Sequence, residues 1–374
     1  MHHHSAAPTS RRRTRSTLAA LGVVALALTG CSVADQSGSG NGTGTASAAT
    51  EATGGQSGGA KGNGETVTVM THDSFNITDE QIAAFEEQSG YELTTTAPGD
   101  AGTLVNQLIL AKDNPTVDAV YGIDNLSAQR VIDEGVVAEY ASEALPASAE
   151  DLAVADKLTP IDQGQVCVNT DHEWFQEKGM AEPTSLDDLA KPEYAELLVT
   201  TNPVTSSPGL AFLAATVTEK GEDGWQDYWR QLLEGGTKVA AGWSDAYYSD
   251  FSGGEGKGAY PLVLSYSSSP AYAPTTGVVE DTCTTQVEYA GVVEGAKNPE
   301  GAQAFIDFLL TEDFQASLPE NMFMYPVDDS VELPADWTEH ATLVKDPIEA
   351  DLQQVSEQRE AWLKEWNELY ESTN

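Results

Sequence analysis

From Glu65 onward, short β-branched runs alternate with amphipathic helical stretches, and no other feature restricts the fold so closely. Residues 66–70 (TVTVM) read as a strand, because β-branched side chains fit a pleated surface. Thr78 and Gln81 have the spacing of a capping box. They open a helix through Ile82-Ala83-Ala84-Phe85 that Gly90 closes. Residues 91–96 are strand-like again, and Leu104, Leu108 and Leu110 place a helix over 102–112. A third strand follows at 117–123, and Ser127 caps a short helix. The order β-α-β-α-β predicts an α/β fold, a parallel sheet with helices on both faces.

The pattern resumes after 197. Strands are expected at 198–201, 237–241, 261–265 and 286–293, and helices at 209–218, 225–233, near 243–251, at 299–310 and over 347–370. Two such sheets facing one another would form a cleft between lobes. No repeat of 20–50 residues is visible.

Charge narrows the partners. The chain of 374 residues has 18 Lys+Arg against 59 Asp+Glu, a formal charge of −41. Four of the basic residues (Arg11, Arg12, Arg13, Arg15) fall in the first thirty; without that segment the balance is −45. Nucleic acid is therefore not expected as a partner, since phosphate binding needs clustered Lys and Arg. Docking of the body on anionic lipid is disfavoured for the same reason.

The basic cluster precedes an apolar run of eleven residues, 18–28, too short for about 30 Å of hydrocarbon. The run ends in Leu28-Thr29-Gly30-Cys31, which resembles a bacterial lipobox. Residues 1–30 are expected to be a lipoprotein signal peptide and Cys31 the lipidated first mature residue, anchored to the outer face of the cell membrane. Residues 31–65 read as a flexible Ser/Gly-rich tether with a reach of roughly 30 Å. The remaining thiols, Cys167 and Cys283, are expected to pair in an oxidising compartment.

In parallel α/β sheets ligands sit beyond the carboxyl ends of the strands. That rule selects segments 70–74, 123–125, 202–209, 242–247 and 265–272. Asp73, Asp100 and Asp124 follow first-lobe strands and suit a cationic ligand. Ser206-Ser207-Pro208 opens a helix whose free N–H groups suit a hydroxyl or phosphate. Trp243, Tyr247, Tyr248, Tyr266 and Tyr272 stand at strand ends, where aromatics can sandwich a flat ring and face a cation. Catalytic signatures are scarce. His72, His172 and His340 lie far apart, and no HExxH, GxSxG or GxGxxG pattern occurs. No enzyme activity and no cofactor are expected.

Together the motifs resemble the bacterial periplasmic thiamine-binding proteins, substrate-binding subunits of thiamine ABC importers in the type II periplasmic binding protein superfamily. The resemblance runs from about Thr66 to near the C-terminus. It rests on Met70-Thr71-His72-Asp73-Ser74-Phe75, Asp100 with Leu104-Val105-Asn106-Gln107-Leu108, Gly122-Ile123-Asp124-Asn125, Thr205-Ser206-Ser207-Pro208-Gly209-Leu210, Gly242-Trp243-Ser244-Asp245-Ala246-Tyr247, Leu264-Ser265-Tyr266 with Ser269-Pro270-Ala271-Tyr272, and Met324-Tyr325-Pro326-Val327. The resemblance implies a two-lobed clamp with two hinge crossings, near 161–166 and 287–291. Lobe 1 would be 66–163 plus 290–374, and lobe 2 would be 164–289. It implies thiamine or a thiamine phosphate as ligand and an ABC transporter permease as partner, with a monomer expected. Trp243, Tyr266 and Tyr272 would contact the rings, Asp100 the cationic portion and Ser206 the hydroxyethyl or phosphate end. Three positions depart from the family: His72 and Phe323 replace a Tyr and a Trp, and a further Trp has no counterpart at Asn76-Ile77-Thr78. A second reading within the superfamily is an iron(III) clamp using Tyr247, Tyr248 and His72, or a polyamine binder. A surface hydrolase is the remote third.

Overall fold

In the computed structural model, which describes residues 62–254, 257–341 and 343–373, nine strands form one hydrogen-bonded sheet. They are β1 (Thr66–Thr71), β2 (Glu92–Thr96), β3 (Ala119–Asp124), β4 (Thr159–Asp171), β5 (Leu198–Thr201), β6 (Lys238–Ala240), β7 (Leu262–Tyr266), β8 (Thr276–Val292) and β9 (Tyr325–Pro326). The order is β2-β1-β3-β8-β4-β7-β5-β6, with β9 beside β4. The expected signal peptide, Cys31 and most of the 31–65 tether lie outside the described residues.

Local chemistry explains the flanks. Thr78 and Gln81 form the capping box in full, opening the helix Asp79–Ser89, and Gly90 closes it in the left-handed conformation. The helix Ala101–Leu110 buries Leu104 and Leu108, whereas Leu110 is exposed and takes no part in the core. β1 pairs in parallel with β2 and β3, and β5 pairs in parallel with β6 and β7.

The centre differs from the expected parallel sheet. β3 with β8, β8 with β4, and β4 with β7 are all antiparallel. The two parallel flanks are thus joined into one mixed sheet rather than standing apart. β8 is also 17 residues long, far beyond the 286–293 read from the sequence. Its first half carries exposed Glu280 and Asp281 among threonines, so its apolar signal is weak, yet β4 holds it from Asp171↔Thr276 onward.

The two long strands carry the chain between the flanks. β3 pairs only with 288–292 of β8, and β7 only with 166–170 of β4. The crossings therefore fall between these stretches, and the register of β4 on β8 shifts at Pro160/Asp162 and at Val166/Val168. Cys167, at the second shift, is disulfide-bonded to Cys283 of β8.

The last helix, Leu352–Thr373, is not confined to the first flank, where the sequence had placed 290–374. Trp366 meets Trp229 edge-on at 5.5 Å, on the helix Trp225–Glu234 of the second flank. On its other side Arg130 of the first flank reaches Glu360 at 3.4 Å. Its apolar stripe, Val355-Trp362-Leu363-Trp366-Leu369, is buried, so it straps both flanks.

The disulfide closes a loop with a sequence separation of 116. In the chain-entropy picture such a loop is worth about 4–5 kcal/mol. The double variant Cys167→Ser/Cys283→Ser should lose roughly 3–5 kcal/mol of unfolding free energy in a urea titration; a midpoint within error of wild type would remove the bridge as a source of stability.

Candidate functional site

The loop after β1, the start of the helix Ala101–Leu110, the loop after β6 and the end of β7 converge at one place, as the carboxyl-end rule requires. A narrow inner cavity of about 30 Å³ lies there, lined by His72, Ser74, Asp100, Ser207, Trp243, Tyr266, Glu288, Met322 and Met324. A recess of about 450 Å³ shares Ser74, Trp243 and Met322 with it and adds Asp73, Phe75, Asn76, Ser244, Tyr248, Glu320, Asn321 and Phe323. Of these two spaces, the recess is in the size range of a ligand pocket, roughly 300–1,000 Å³. The inner cavity holds little more than a water. A groove of about 530 Å³ elsewhere, walled by Asp187, Lys220, Glu280 and Lys345 among others, shares no lining residue with the cleft and has no aromatic wall.

Trp243 is the aromatic hub. It follows β6 and precedes a π-helical turn, Asp245–Asp250, which brings Tyr247 beneath it: the rings stack at 5.1 Å and 14°. Tyr248 and Tyr266 meet the indole at 5.3 and 6.0 Å with steep tilts, and Phe323 at 6.3 Å. The indole N–H donates to Ser265 Oγ at 2.8 Å, which fixes the ring plane. Phe323 ends the helix Glu312–Met322 with φ +57°, an uncommon conformation for a bulky residue. Ser268 Oγ donates to its carbonyl at 2.6 Å, and Tyr272 packs against its ring at 4.2 Å, which together hold the strained turn.

The cavity floor is charged. His72 Nε2 lies 3.3 Å from Glu288 Oε2, without the geometry of a hydrogen bond. Gly122 makes room for the imidazole: φ is +100° there, and a Cβ would collide with the ring. Burial pushes the imidazolium down, but Glu288, with Asp100 and Asp73 behind it, outweighs burial and the net direction is up from 6.5. Against this, the Ser74 N–H donates to Nδ1 at 3.2 Å, a bond that a protonated Nδ1 cannot accept. Burial also works against the Glu288 carboxylate, but His72 prevails and its net direction is down.

Tyr121 lies between two acids. Its hydroxyl contacts Asp162 and is 3.2 Å from Glu288 Oε2. One phenolic proton cannot be donated in full to both carboxylates. Burial, then the neighbouring Glu288, drives the Asp162 pKa well up. Gln286 Nε2 donates to Glu288 Oε1 at 3.0 Å and lies 3.2 Å from the Tyr266 hydroxyl, orienting both.

Asp100 takes a role of its own. Its Oδ1 accepts from Ala101 N at 2.6 Å and from Ser207 N at 3.3 Å, and its Oδ2 accepts from Trp243 N at 2.9 Å. Burial raises its pKa; the Trp243 N–H, the Ser206 hydroxyl, His72 and the Ala101 N–H pull it back, with the net direction up. Ser206 is wholly buried under the helix start, its hydroxyl 2.9 Å from Thr201 Oγ1; Ser207 lines the cavity in its place.

The structure therefore brings His72, Asp100, Trp243 and Tyr266 to the inner cavity, and Asp73 and Phe323 to the recess. Besides Ser206, it keeps two further candidates out of both linings. Asp124 is buried at the end of β3, accepts from the Ser127 N–H at 2.8 Å, and faces Arg359; burial pushes its pKa up to about 6. Tyr272 lines neither space: its hydroxyl donates to the Pro319 carbonyl and accepts from Trp337 Nε1 at 3.1 Å. The iron set is split as well. His72 is in the inner cavity, Tyr248 in the recess, and Tyr247 lines neither. Among the described residues no group of three His, Cys, Asp or Glu is placed to hold a metal. Glu288 is the residue that sequence reasoning missed; a lone carboxylate in the apolar stretch VEYAGV was its only signal.

Comparison with known proteins identifies the family. The family model for bacterial extracellular solute-binding proteins matches residues 114–346, and the chain belongs to that family. The thiamine-binding periplasmic protein of Escherichia coli (strain K12) is 31% identical over 312 residues, covering 80% of this chain and 92% of that protein. The thiamine-binding periplasmic protein of Brucella suis biovar 1 (strain 1330) is 30% identical over 330 residues, covering 81% and 91%. A solved periplasmic thiamin binding protein superposes with a TM-score of 0.72 at 29% identity, over 83% of this chain and 99% of that one. The ferric binding protein from Campylobacter jejuni shares the fold alone, with a TM-score of 0.63 at 17% identity over 82% and 99%. The architecture is the two-lobed type II clamp, and membership makes the chain a solute-binding protein rather than an enzyme.

The His72–Glu288 pair gives a signed prediction. Because the folded pKa of His72 is raised, the pair's contribution to stability is fully present below 6.5 and is lost as pH rises through the folded value. In an NMR titration His72 should titrate above 6.5, and Glu288→Gln should bring it below, since burial is then less opposed. A His72 midpoint unmoved by Glu288→Gln would reject the pairing.

Proposed function

We propose that this chain captures thiamine outside the cytoplasm and hands it to the permease of an ABC importer. The observation that carries the reading is Trp243, which walls both the inner cavity and the recess within an aromatic cluster, beside carboxylates of both spaces. Thiamine is a flat aminopyrimidine joined to a cationic thiazolium, and such a ligand needs an aromatic face together with negative charge. An aromatic ring over a cation contributes about 0.5–2 kcal/mol, more as water is excluded. The relatives at about 30% identity are thiamine-binding proteins, which supplies the ligand's identity.

In this proposal the two lobes are 66–163 with 290 onward, and 164–289, and the terminal helix straps both. Opening about the β4 and β8 crossings admits the ligand, closure encloses it, and the closed form docks on the permease. Trp243, Tyr266 and Phe323 hold the rings, while Asp73, Asp100 and Glu288 face the cation. Lipidation at Cys31 would keep the receptor, as a monomer on its tether, beside the membrane partner. No bond is made or broken.

Calorimetric titration tests this. Thiamine should bind the wild-type protein with a single site, and Trp243→Ala should weaken it by about 30-fold or more, the loss expected of a buried aromatic anchor. Ferric ion should give neither heat nor a coloured complex. Near-wild-type affinity in Trp243→Ala, or iron binding without thiamine binding, would overturn the assignment.

A further inference from the structure

The two ring nitrogens of His72 meet opposite demands. Nε2 is buried and faces Glu288 Oε2 at 3.3 Å. Nδ1 accepts the Ser74 N–H at 3.2 Å. An imidazolium gives Glu288 a countercharge but cannot accept from Ser74. The neutral ring, with its proton on Nε2, keeps both contacts and gives up the countercharge. The ring is held between these choices: a Cβ at Gly122 would stand 2.2 Å from Cδ2, and Tyr121 flanks it with centroids 5.5 Å apart.

Capture of a cation shifts the balance in two ways. The first is charge. Burial lowers the pKa of His72, but Glu288 of β8, Asp100 at the start of the helix Ala101–Leu110 and Asp73 of its own loop more than offset it. Tyr121 of β3 and Tyr266 of β7 also adjoin the ring or its cavity, and burial keeps both phenols protonated. Behind them the Tyr121 hydroxyl contacts Asp162 of β4. Among the described residues no lysine or arginine lines either space. The imidazolium is therefore the one countercharge these acids have before a ligand arrives. A cationic ligand brings a second, and two like charges around one cavity oppose each other. The second is closure. Ser74 Oγ lies 3.1 Å from Ser244 Oγ of the facing lobe. Shutting the cleft thus fixes the turn at 72–75, in which Phe75 N donates to the His72 carbonyl at 3.2 Å, and aims the Ser74 N–H at Nδ1.

We propose that His72 makes capture proton-linked: as the cation enters and the cleft closes, the Nδ1–H bond breaks, the proton leaves to solvent, and the neutral ring keeps Glu288 through Nε2–H and accepts from Ser74 at Nδ1. The pair itself does not depend on closure, because His72 and Glu288 stand on the first flank and on the hinge strand that pairs with it. The inference rests on the thiamine reading above and extends it to the proton. The sign follows: binding that releases a proton strengthens as pH rises through the titration of the free protein and weakens on acidification.

The test is calorimetry of the whole protein with thiamine. Affinity should rise at least about fivefold from about pH 6 to about pH 8, and heats in two buffers of different ionisation enthalpy should report about half a proton released per thiamine near neutral pH. His72→Gln, uncharged and still able to hydrogen-bond, should release none and bind with an affinity that varies less than about twofold over that range. Should that variant unfold, NMR of wild type decides, because the His72 midpoint should fall by about one unit or more on saturation with thiamine. If thiamine binds wild type at no pH in the range, the proposed function falls. If thiamine binds without proton release, if the release persists in folded His72→Gln, or if thiamine leaves the His72 midpoint unmoved, the proton linkage falls alone.

Discussion

β4 and β8 lie side by side from Thr159↔Ala290 to Asp171↔Thr276, and each flank is attached to one of them. The antiparallel pairing decides both architecture and chemistry. It joins two parallel flanks that would otherwise be independent, and it allows only two chain crossings between them. The same strands carry Asp162, Gln286 and Glu288, so the floor of the cleft is built into the hinge. The Cys167–Cys283 bond ties the pair together beyond the crossing, on the side where β7 joins.

Buried charge is costly, and the floor shows how it is tolerated. Three carboxyl groups and an imidazole are packed where little water reaches, and an unpaired ion there would cost several kcal/mol. Asp162 lies against the Tyr121 hydroxyl, which also reaches Glu288, and burial with Glu288 beside it pushes the Asp162 pKa well up. Glu288 escapes through His72 and Gln286. Asp100 escapes through three backbone N–H groups, two of them from the facing lobe. Each solution restricts motion, because each partner stands on a different strand or helix. The network therefore specifies one closed arrangement, whatever its net contribution to stability.

Much of this was legible in the sequence where the signal is local. The capping box at Thr78 and Gln81, the closing Gly90, and the alternation that defines the flanks all depend on neighbours within a few residues. The convergence of His72, Asp100, Trp243 and Tyr266 followed from the carboxyl-end rule, which needs only strand order. What stayed hidden depends on pairing across the sheet. The front of β8 is too polar to read as a strand until β4 is beside it. Asp124 and Glu288 are both acids that follow an apolar strand residue; only the fold shows that Ser127 and Arg359 engage the first, while the second lines the cavity. Tyr272 lines neither space for a related reason. Pro319 and Trp337, from distant segments, engage its hydroxyl.

The strongly acidic composition and the acidity of the cleft are separate matters. Surface charges are screened beyond about 8–10 Å at physiological salt, so most of the 59 acids act on solubility and on the approach of a ligand. Inside, the count is short. Asp100 and Glu288 line the inner cavity with His72 as the one basic side chain, so the acidic groups outnumber the basic one there. A site of that kind can neutralise one cationic centre. At an effective dielectric constant near 20, one unit pair at 4 Å is worth about 4 kcal/mol, enough to separate a singly charged cation from a neutral analogue of the same shape by roughly three orders of magnitude. The aromatic cluster around Trp243 does not distinguish charge so sharply, since a flat neutral ring stacks well too. Shape is thus selected by the rings and sign by the carboxylates, and the two criteria meet at Trp243, whose indole walls the cavity while its backbone N–H holds Asp100 in place.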